Sequence, residues 1–205
     1  MNTATATHPR YEGHVELWLI RHGETAWSLS GQHTGRTDIA LTERGHSQAH
    51  LLAPLLAAQP FDRVLTSPMS RAIETCREAG LGERAEVEPD LHEWDYGIYE
   101  GRTTPEIRET VPGWSVWDSP IPEGESLVQV EARARALIGR FLTMQGRIAL
   151  FSHAHFLRVL GGCWMGDSAA LGAHLVLDTA SISILGFDRD IRALRQWNLR
   201  CSEAG

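Results

Sequence analysis

Three short apolar runs recur along the chain, each followed by a turn or by polar residues. They are VELWLI at 15–20, DRVLTS at 62–67 and RIALFS at 147–152. A continuous apolar run of this length predicts a strand buried on both faces, as in a parallel sheet. Near the end of the chain, SISILGF at 181–187 and RALRQWN at 192–198 flank a short polar turn and predict a closing hairpin.

Apolar residues spaced three and four apart predict helices between these strands. The strongest pattern lies at 125–144, where one face carries Leu127, Val130, Ala134, Leu137, Ile138 and Phe141. The other predicted helices are 42–58, 68–79 and 154–165.

Two prolines bear on the bounds of these helices. Thr42 followed by Glu43 suits the start of the first helix, and Pro54 predicts a kink or a break inside it. Pro68 suits the first turn of the second helix.

Alternation of strands and helices predicts an α/β fold, a three-layer α/β/α sandwich with a mostly parallel sheet. Such sheets bind ligands at the carboxyl ends of their strands. The segment 95–124 is rich in Pro, Gly and Trp and is predicted to be a small irregular cap over that edge. We expect a flexible N-terminal tail at 1–13 and a single domain at 14–200, because no linker-like segment divides the chain.

Composition narrows the function. The chain has 205 residues and a net charge of −7, which argues against binding to nucleic acid or to an anionic membrane. All 19 basic residues are arginine, so Schiff-base lysine chemistry and a Walker P-loop are excluded. With no secretory signal, no apolar span and three isolated cysteines, we expect a cytoplasmic protein without a thiolate metal site.

Arginines and histidines follow three of the predicted strands. Arg21-His22 comes after the first, Arg71 after the second and His153-Ala154-His155 after a later one. Guanidinium groups match phosphate oxygens, and an imidazole can serve as nucleophile, acid or electrostatic partner. Since phosphoryl transfer depends mainly on positioning and positive charge, this convergence favours phosphate chemistry.

Four motifs in order are similar to the histidine phosphatase superfamily, which includes the cofactor-dependent phosphoglycerate mutases. They are LIRHGETAW, TSPMSRAIETC, LHEWDYGIYEG and FSHAHFLR, and the resemblance covers about residues 15–187. The stretches GETAWSLSGQHTGRTDIALT and EWDYGIYEGRTTPEIRE most resemble the actinobacterial broad-specificity acid phosphatases and, next, the fungal sedoheptulose bisphosphatases. The resemblance implies a phosphoglycerate mutase-like fold.

The resemblance also implies roles for single residues. His22 would be the nucleophile, Arg21 and Arg71 would grip the phosphoryl oxygens, and His153 would complete a cationic pocket. Glu93 would be the proton donor. Positions that line the substrate site in mutase-like relatives are Ser28, Thr34, Gly35, Tyr96, Ala154 and His155. Ala154 departs from the usual glycine, and a left-handed backbone there would cost roughly 1–2 kcal/mol.

Local reasoning leaves several alternatives open. Asp95 and Glu100 compete with Glu93 as the acid, and only the resemblance favours Glu93. His153 and His155 are spaced like half of a metal site, but no carboxylate or cysteine cluster completes it, so we expect neither a metal nor a cofactor. Other histidines are predicted to be structural or surface residues: His33, His46, His50, His92 and His174.

The predicted function is a phosphatase that hydrolyses small phosphorylated metabolites through a phosphohistidine. A cofactor-dependent phosphoglycerate mutase is the alternative, and a non-catalytic phosphate-binding relative is a third. Mutases usually have Asn at the position of Ser28, a lysine near the substrate and a longer insertion, and this chain has none of these. The sequence does not fix the metabolite or the oligomeric state, with a homo-oligomer among the options.

Overall fold

The computed structural model describes residues 14–201, so the tail predicted at 1–13 lies outside the described residues. A six-stranded sheet forms the centre. In chain order its strands are β1 (Val15–Arg21), β2 (Arg63–Thr66), β3 (Ala85–Val87), β4 (Gly146–Ser152), β5 (Ser181–Asp188) and β6 (Ile191–Arg200). Their order across the sheet is β3-β2-β4-β1-β5-β6.

The first four strands are parallel, and β5 runs antiparallel to β1 and forms the predicted hairpin with β6. This confirms the mostly parallel sheet. Strand β3 has only three residues and was not predicted from the sequence.

Residues 14–201 form six α-helices. They are α1 (Ala26–Ser30), α2 (Glu43–Ala57), α3 (Ser70–Glu78), α4 (Thr104–Thr110), α5 (Leu127–Phe141) and α6 (Ala154–Gly166). Of these, α2, α3, α5 and α6 pack on the sheet. Alternate residues of β1 face opposite ways: Leu17 and Leu19 join the core that contains α5 and α6, whereas Trp18 and Ile20 join the core that contains α2 and α3. The helices therefore lie on both faces of the sheet, which confirms the three-layer sandwich.

Two helix predictions and the prediction of an irregular cap need correction. Helix α2 continues through Pro54, so the proline does not break it. Helix α3 begins at Ser70 rather than at 68, since Met69 is its extended N-cap. The cap is not wholly irregular: α4 lies within it, started by a capping box between Thr103 and Glu106.

Candidate active site

The carboxyl ends of β1, β2 and β4 bring the predicted catalytic residues together. Arg21 on β1 lies beside Ser152 on β4, and the His22 N–H donates to the Ser152 carbonyl at 3.0 Å. The Ser67 N–H, just after β2, donates to the Phe151 carbonyl of β4 at 2.9 Å. His22, Ser67 and His153 thus leave the sheet side by side.

His22 is buried, and its ring geometry identifies the nitrogen that can react. Nδ1 lies 2.7 Å from the carbonyl oxygen of Gly23. Because a carbonyl only accepts, Nδ1 must donate, and Nε2 carries the lone pair. Burial, reinforced by the charges of Arg71 and Arg21, lowers the pKa of His22 well below its usual value. The ring is therefore neutral and nucleophilic at Nε2.

A close backbone approach fixes the turn that carries His22. A Cβ on Gly23 would lie 2.4 Å from the carbonyl oxygen of Gly45, near the start of α2. A Cβ on Gly45 would in turn lie 2.1 Å from the carbonyl oxygen of Glu24. The Gly23 N–H also donates to Thr75 Oγ1 of α3 at 3.0 Å. The nucleophile turn therefore rests directly on two helices.

Arg21 offers an unused donor beside the nucleophile. Its Nη1 donates to the Leu177 carbonyl at 2.6 Å, which orients the guanidinium. Its Nε is buried and has no hydrogen-bond partner in the described part of the chain. A buried unpaired donor is costly, and a phosphoryl oxygen would satisfy it.

Arg71 is fully buried, and its donors are already engaged. Nε donates to His153 Nδ1 at 3.2 Å, Nη1 to the Thr37 carbonyl at 3.1 Å and Nη2 to the Gly35 carbonyl at 3.0 Å. It does not line the pocket described below. The charge of Arg71 lowers the pKa of His22. Direct hydrogen bonding of Arg71 to the phosphoryl group stays a prediction.

His153 is fully buried, with its ring centroid 5.1 Å from that of His22. Burial, followed by the charge of Arg71 and that of Arg21, lowers the pKa of His153 well below the usual value. His153 is therefore neutral here, which differs from the expectation that it completes a cationic pocket. The positive charge at the site comes from the arginines.

Glu93 lies against the first turn of α6. Its Oε1 accepts hydrogen bonds from the N–H groups of Trp94 at 2.9 Å and Phe156 at 2.7 Å, and Oε2 accepts one from the N–H of His155 at 3.0 Å. Oε2 thus retains capacity for a further contact. Among the described residues, Glu93 is the only carboxylate that lines the pocket.

The two competing carboxylates are engaged elsewhere. Asp95 forms an ion pair with Arg36. Glu100 accepts hydrogen bonds from the N–H groups of Arg36 and Thr37. Neither lines the pocket, so the geometry favours Glu93 as the acid.

A pocket of about 410 Å³ opens above His22. Five of the six predicted substrate-site residues line it: Ser28, Thr34, Tyr96, Ala154 and His155. Gly35 does not line the pocket, so its predicted contact with the substrate stays a prediction. A Cβ at this position would lie 2.2 Å from Glu100 Oε1 and 2.6 Å from the Trp94 carbonyl oxygen.

Much of the pocket wall consists of residues that were not predicted from the sequence. The cap contributes Thr104, Arg108, Ser115, Val116 and Trp117, and the loop after α1 contributes Gly31, Gln32 and His33. Thr104 and Arg108 are four residues apart and share one face of α4, a spacing visible in the sequence. His33 was expected to be structural or exposed; it is buried and lines the pocket, with its ring tilted 40° to that of Tyr96 at a centroid distance of 4.7 Å.

A buried Tyr96 and a half-buried His155 form a neutral hydrogen-bonded pair in this wall. The Tyr96 hydroxyl lies 2.6 Å from His155 Nδ1. Burial first, and then the charge of Glu93, raises the pKa of Tyr96 well above its usual value. Burial and the charge of Arg158 lower the pKa of His155 well below its usual value. The pair therefore supplies polarity without charge.

Ala154 is not strained. It is the first residue of α6, and it is absent from the non-glycine residues with positive φ. The left-handed backbone considered above does not occur, so alanine carries no such cost. Its N–H has no hydrogen-bond partner within residues 14–201.

Two kinds of feature are absent from residues 14–201. No group of three or more His, Cys, Asp and Glu side chains there is placed to hold a metal ion. None of the helices described is both long enough and apolar enough to cross a membrane.

Comparison with known proteins identifies the family. The histidine phosphatase superfamily (branch 1) matches residues 17–200. An acid phosphatase of Mycobacterium tuberculosis is 46% identical, over 87% of this chain and 89% of that protein. A sedoheptulose 1,7-bisphosphatase of Saccharomyces cerevisiae is 32% identical, over 72% of this chain and 66% of that protein.

A solved structure of an open reading frame product from M. tuberculosis has a TM-score of 0.85 and 41% identity, over 91% of this chain and 98% of that one. These findings confirm the resemblance and the branch that the four motifs indicate. The chain belongs to the histidine phosphatase superfamily, branch 1, and is an enzyme of the phosphoric monoester hydrolase type.

Proposed function

We propose that the protein hydrolyses small phosphorylated metabolites through a covalent phosphohistidine on His22, within one domain at 14–200. The observation that carries this proposal is the pairing of a neutral His22, with its lone pair on Nε2, and the buried unpaired Nε of Arg21. A nucleophile next to an unused cationic donor suits a group that is both electrophilic and anionic.

In the first step, His22 Nε2 attacks phosphorus in line with the departing oxygen. The N–P bond forms as the P–O bond breaks, and Glu93, protonated at that moment, gives its proton to the leaving alcohol. Arg21 donates hydrogen bonds to the phosphoryl oxygens, and the charge of the buried Arg71 stabilises the negative charge on these oxygens.

In the second step, water attacks the phosphohistidine. Glu93 takes a proton from this water, the N–P bond breaks, and inorganic phosphate leaves while His22 returns to its neutral form. Both steps use the same carboxylate, which fits the position of Glu93 in the pocket wall.

The pocket supports a small substrate. Its volume of about 410 Å³ is within the usual range for small-molecule sites and is larger than a phosphate needs. Polar side chains from the cap, including Thr104 and Ser115, suit a hydroxylated leaving group such as a sugar or a hydroxy acid.

The net charge of −7 argues against nucleic acid as a partner. Free Cys76, Cys163 and Cys201 suit the reducing cytoplasm.

A cofactor-dependent phosphoglycerate mutase is the less supported alternative. A mutase must shield its phosphohistidine while the intermediate reorients, which requires extra cationic anchors and exclusion of water. Given 3-phosphoglycerate and catalytic 2,3-bisphosphoglycerate, the protein should release phosphate faster than it forms 2-phosphoglycerate. Isomerisation that outpaces phosphate release would overturn the phosphatase proposal.

Trapping the intermediate tests the mechanism. Wild-type protein is incubated briefly with ³²P-labelled substrate, with and without EDTA, and quenched with alkali. Both samples should carry a base-stable, acid-labile label. His22→Ala should lose both label and turnover. His50→Ala, a control at an exposed histidine, should retain both. Label that persists in His22→Ala, or that disappears with EDTA, would contradict the proposal.

A further inference from the structure

Both ring nitrogens of His153 have hydrogen-bond partners, Arg71 and Ser67. Of these two, only Arg71 was predicted from the sequence to act in the reaction. Nδ1 lies 3.2 Å from Nε of Arg71, and Nε2 lies 2.7 Å from the hydroxyl oxygen of Ser67. All three side chains are fully buried, so no water replaces a lost contact cheaply.

The direction of these hydrogen bonds follows from the chemistry of the groups. A guanidinium only donates, so His153 Nδ1 must accept. In a neutral imidazole the other nitrogen then carries the proton, and Nε2–H donates to Ser67. A proton on Nδ1 would instead set two donors against each other at 3.2 Å.

Ser67 is placed to accept. Its backbone is fixed to β4 through the Phe151 carbonyl, and its hydroxyl oxygen also receives the N–H of Met69 at 3.3 Å. The hydroxyl proton has no acceptor within residues 14–201. Without this oxygen, Nε2–H of His153 would be a buried donor with no partner.

We propose that Ser67 is a positioning residue: its hydroxyl holds the Nε2–H of His153, so that the Nδ1 lone pair faces Arg71 and fixes that arginine beside His22. This role acts on the phosphoryl end of the site and not on the leaving group. The kinetic part of the inference rests on the proposed function, whereas the state of the His153 ring does not.

Two measurements test this role. In wild-type protein labelled with ¹⁵N-histidine, NMR should show His153, assigned by its absence in His153→Gln, as the Nε2–H tautomer with a slowly exchanging ring proton. Ser67→Ala should lose the protected resonance. It should also lower kcat/KM about tenfold, the scale of one buried hydrogen bond, and equally for aryl and alkyl phosphates.

Ser183→Ala is the control, because it removes another fully buried serine hydroxyl that contacts the Asn198 N–H instead of His153. It should leave the His153 resonance unchanged. An Nδ1–H tautomer in the wild type, or a protected Nε2–H and normal kinetics in Ser67→Ala, would overturn the inference. A normal His153 resonance in a protein without phosphatase activity would instead count against the proposed function alone.

Discussion

Arg36 and Asp95 are joined by an ion pair of 2.5 Å between Nε and Oδ2, which ties the loop after α1 to the start of the cap. Asp95 also accepts the N–H of Gly97 through its other oxygen. Although Asp95 is only two residues from Glu93, its carboxylate is therefore held by the loop. The ion pair therefore separates Asp95 from Glu93, two of the three acids between which the sequence left the choice open.

Glu93→Gln should lower kcat by about 10²–10⁴-fold for alkyl phosphates, because the leaving oxygen loses its proton donor. An activated aryl phosphate, whose leaving group needs no proton, should lose much less. Asp95→Asn is the matched control, and its loss should be small and similar for both substrates. Steady-state kinetics with p-nitrophenyl phosphate and a sugar phosphate measure this difference. A larger selective loss in Asp95→Asn would reassign the acid.

The rate should remain high on the acidic side of neutrality. Burial and the charges of Arg71 and Arg21 lower the pKa of His22, so the nucleophile stays neutral below pH 6.5. The acidic limb of the kcat/KM profile should thus fall well below that pH. An acidic limb at pH 6.5 or above would mean that His22 is solvated.

Stability should fall as pH falls from 6.5 toward 4. The pKa of His33 is lowered to about 4 by burial, and those of His22, His153 and His155 are lowered as well. The unfolded chain then binds more protons than the folded one, so the stabilisation is complete above pH 6.5 and is lost on acidification.

The steepness of the fall in stability with pH shows how many histidines cause it. Each such histidine contributes a slope of about 1.4 kcal/mol per pH unit in the window between its two pKa values. Urea unfolding at pH 6 and pH 5 should show it, and His33→Gln should reduce the slope by about one histidine's share. An unchanged slope in His33→Gln would show that His33 titrates normally.

Arg108 should favour substrates with a second anionic group. Its Nε donates to the Trp114 carbonyl at 2.8 Å, and Arg108 is one of the residues that line the pocket. Arg108→Gln should lower kcat/KM about tenfold for 3-phosphoglycerate and little for glycerol 3-phosphate. Arg102→Gln is the control, because Arg102 bonds the Glu106 carbonyl outside the pocket. Equal losses for both substrates would remove Arg108 from substrate recognition.

Long periodic segments could be predicted from the sequence, and short ones could not. The apolar face of α5 and the buried runs of β1 and β4 are set by burial over many residues, so their pattern is plain. Strand β3 pairs only with β2 and spans Ala85–Val87, which is too short for a period. Helix α4 carried a capping-box signal at Thr103, but the Pro- and Gly-rich surroundings favoured irregular structure.

Some residues of the site could likewise be predicted from the sequence, and others could not. Arg21 and His22 could be predicted from a motif at the end of β1, and strand pairing alone places this motif beside the end of β4, which His153 follows. The roles of Trp117 and His33 depend on how the cap folds over the sheet, which no local pattern encodes. At Gly35, Glu100 leaves no room for a side chain, and the predicted contact of this residue with the substrate stays a prediction.

The contact between Gly23 and Gly45 limits how this enzyme can change. Since a side chain on either glycine would strike the backbone of the other segment, one substitution cannot be relieved by a compensating one nearby. Two positions 22 residues apart are therefore constrained as one. Variants selected for new substrates should keep both glycines and accumulate changes at Ser115, Val116 and Trp117, where the chain can vary without displacing His22.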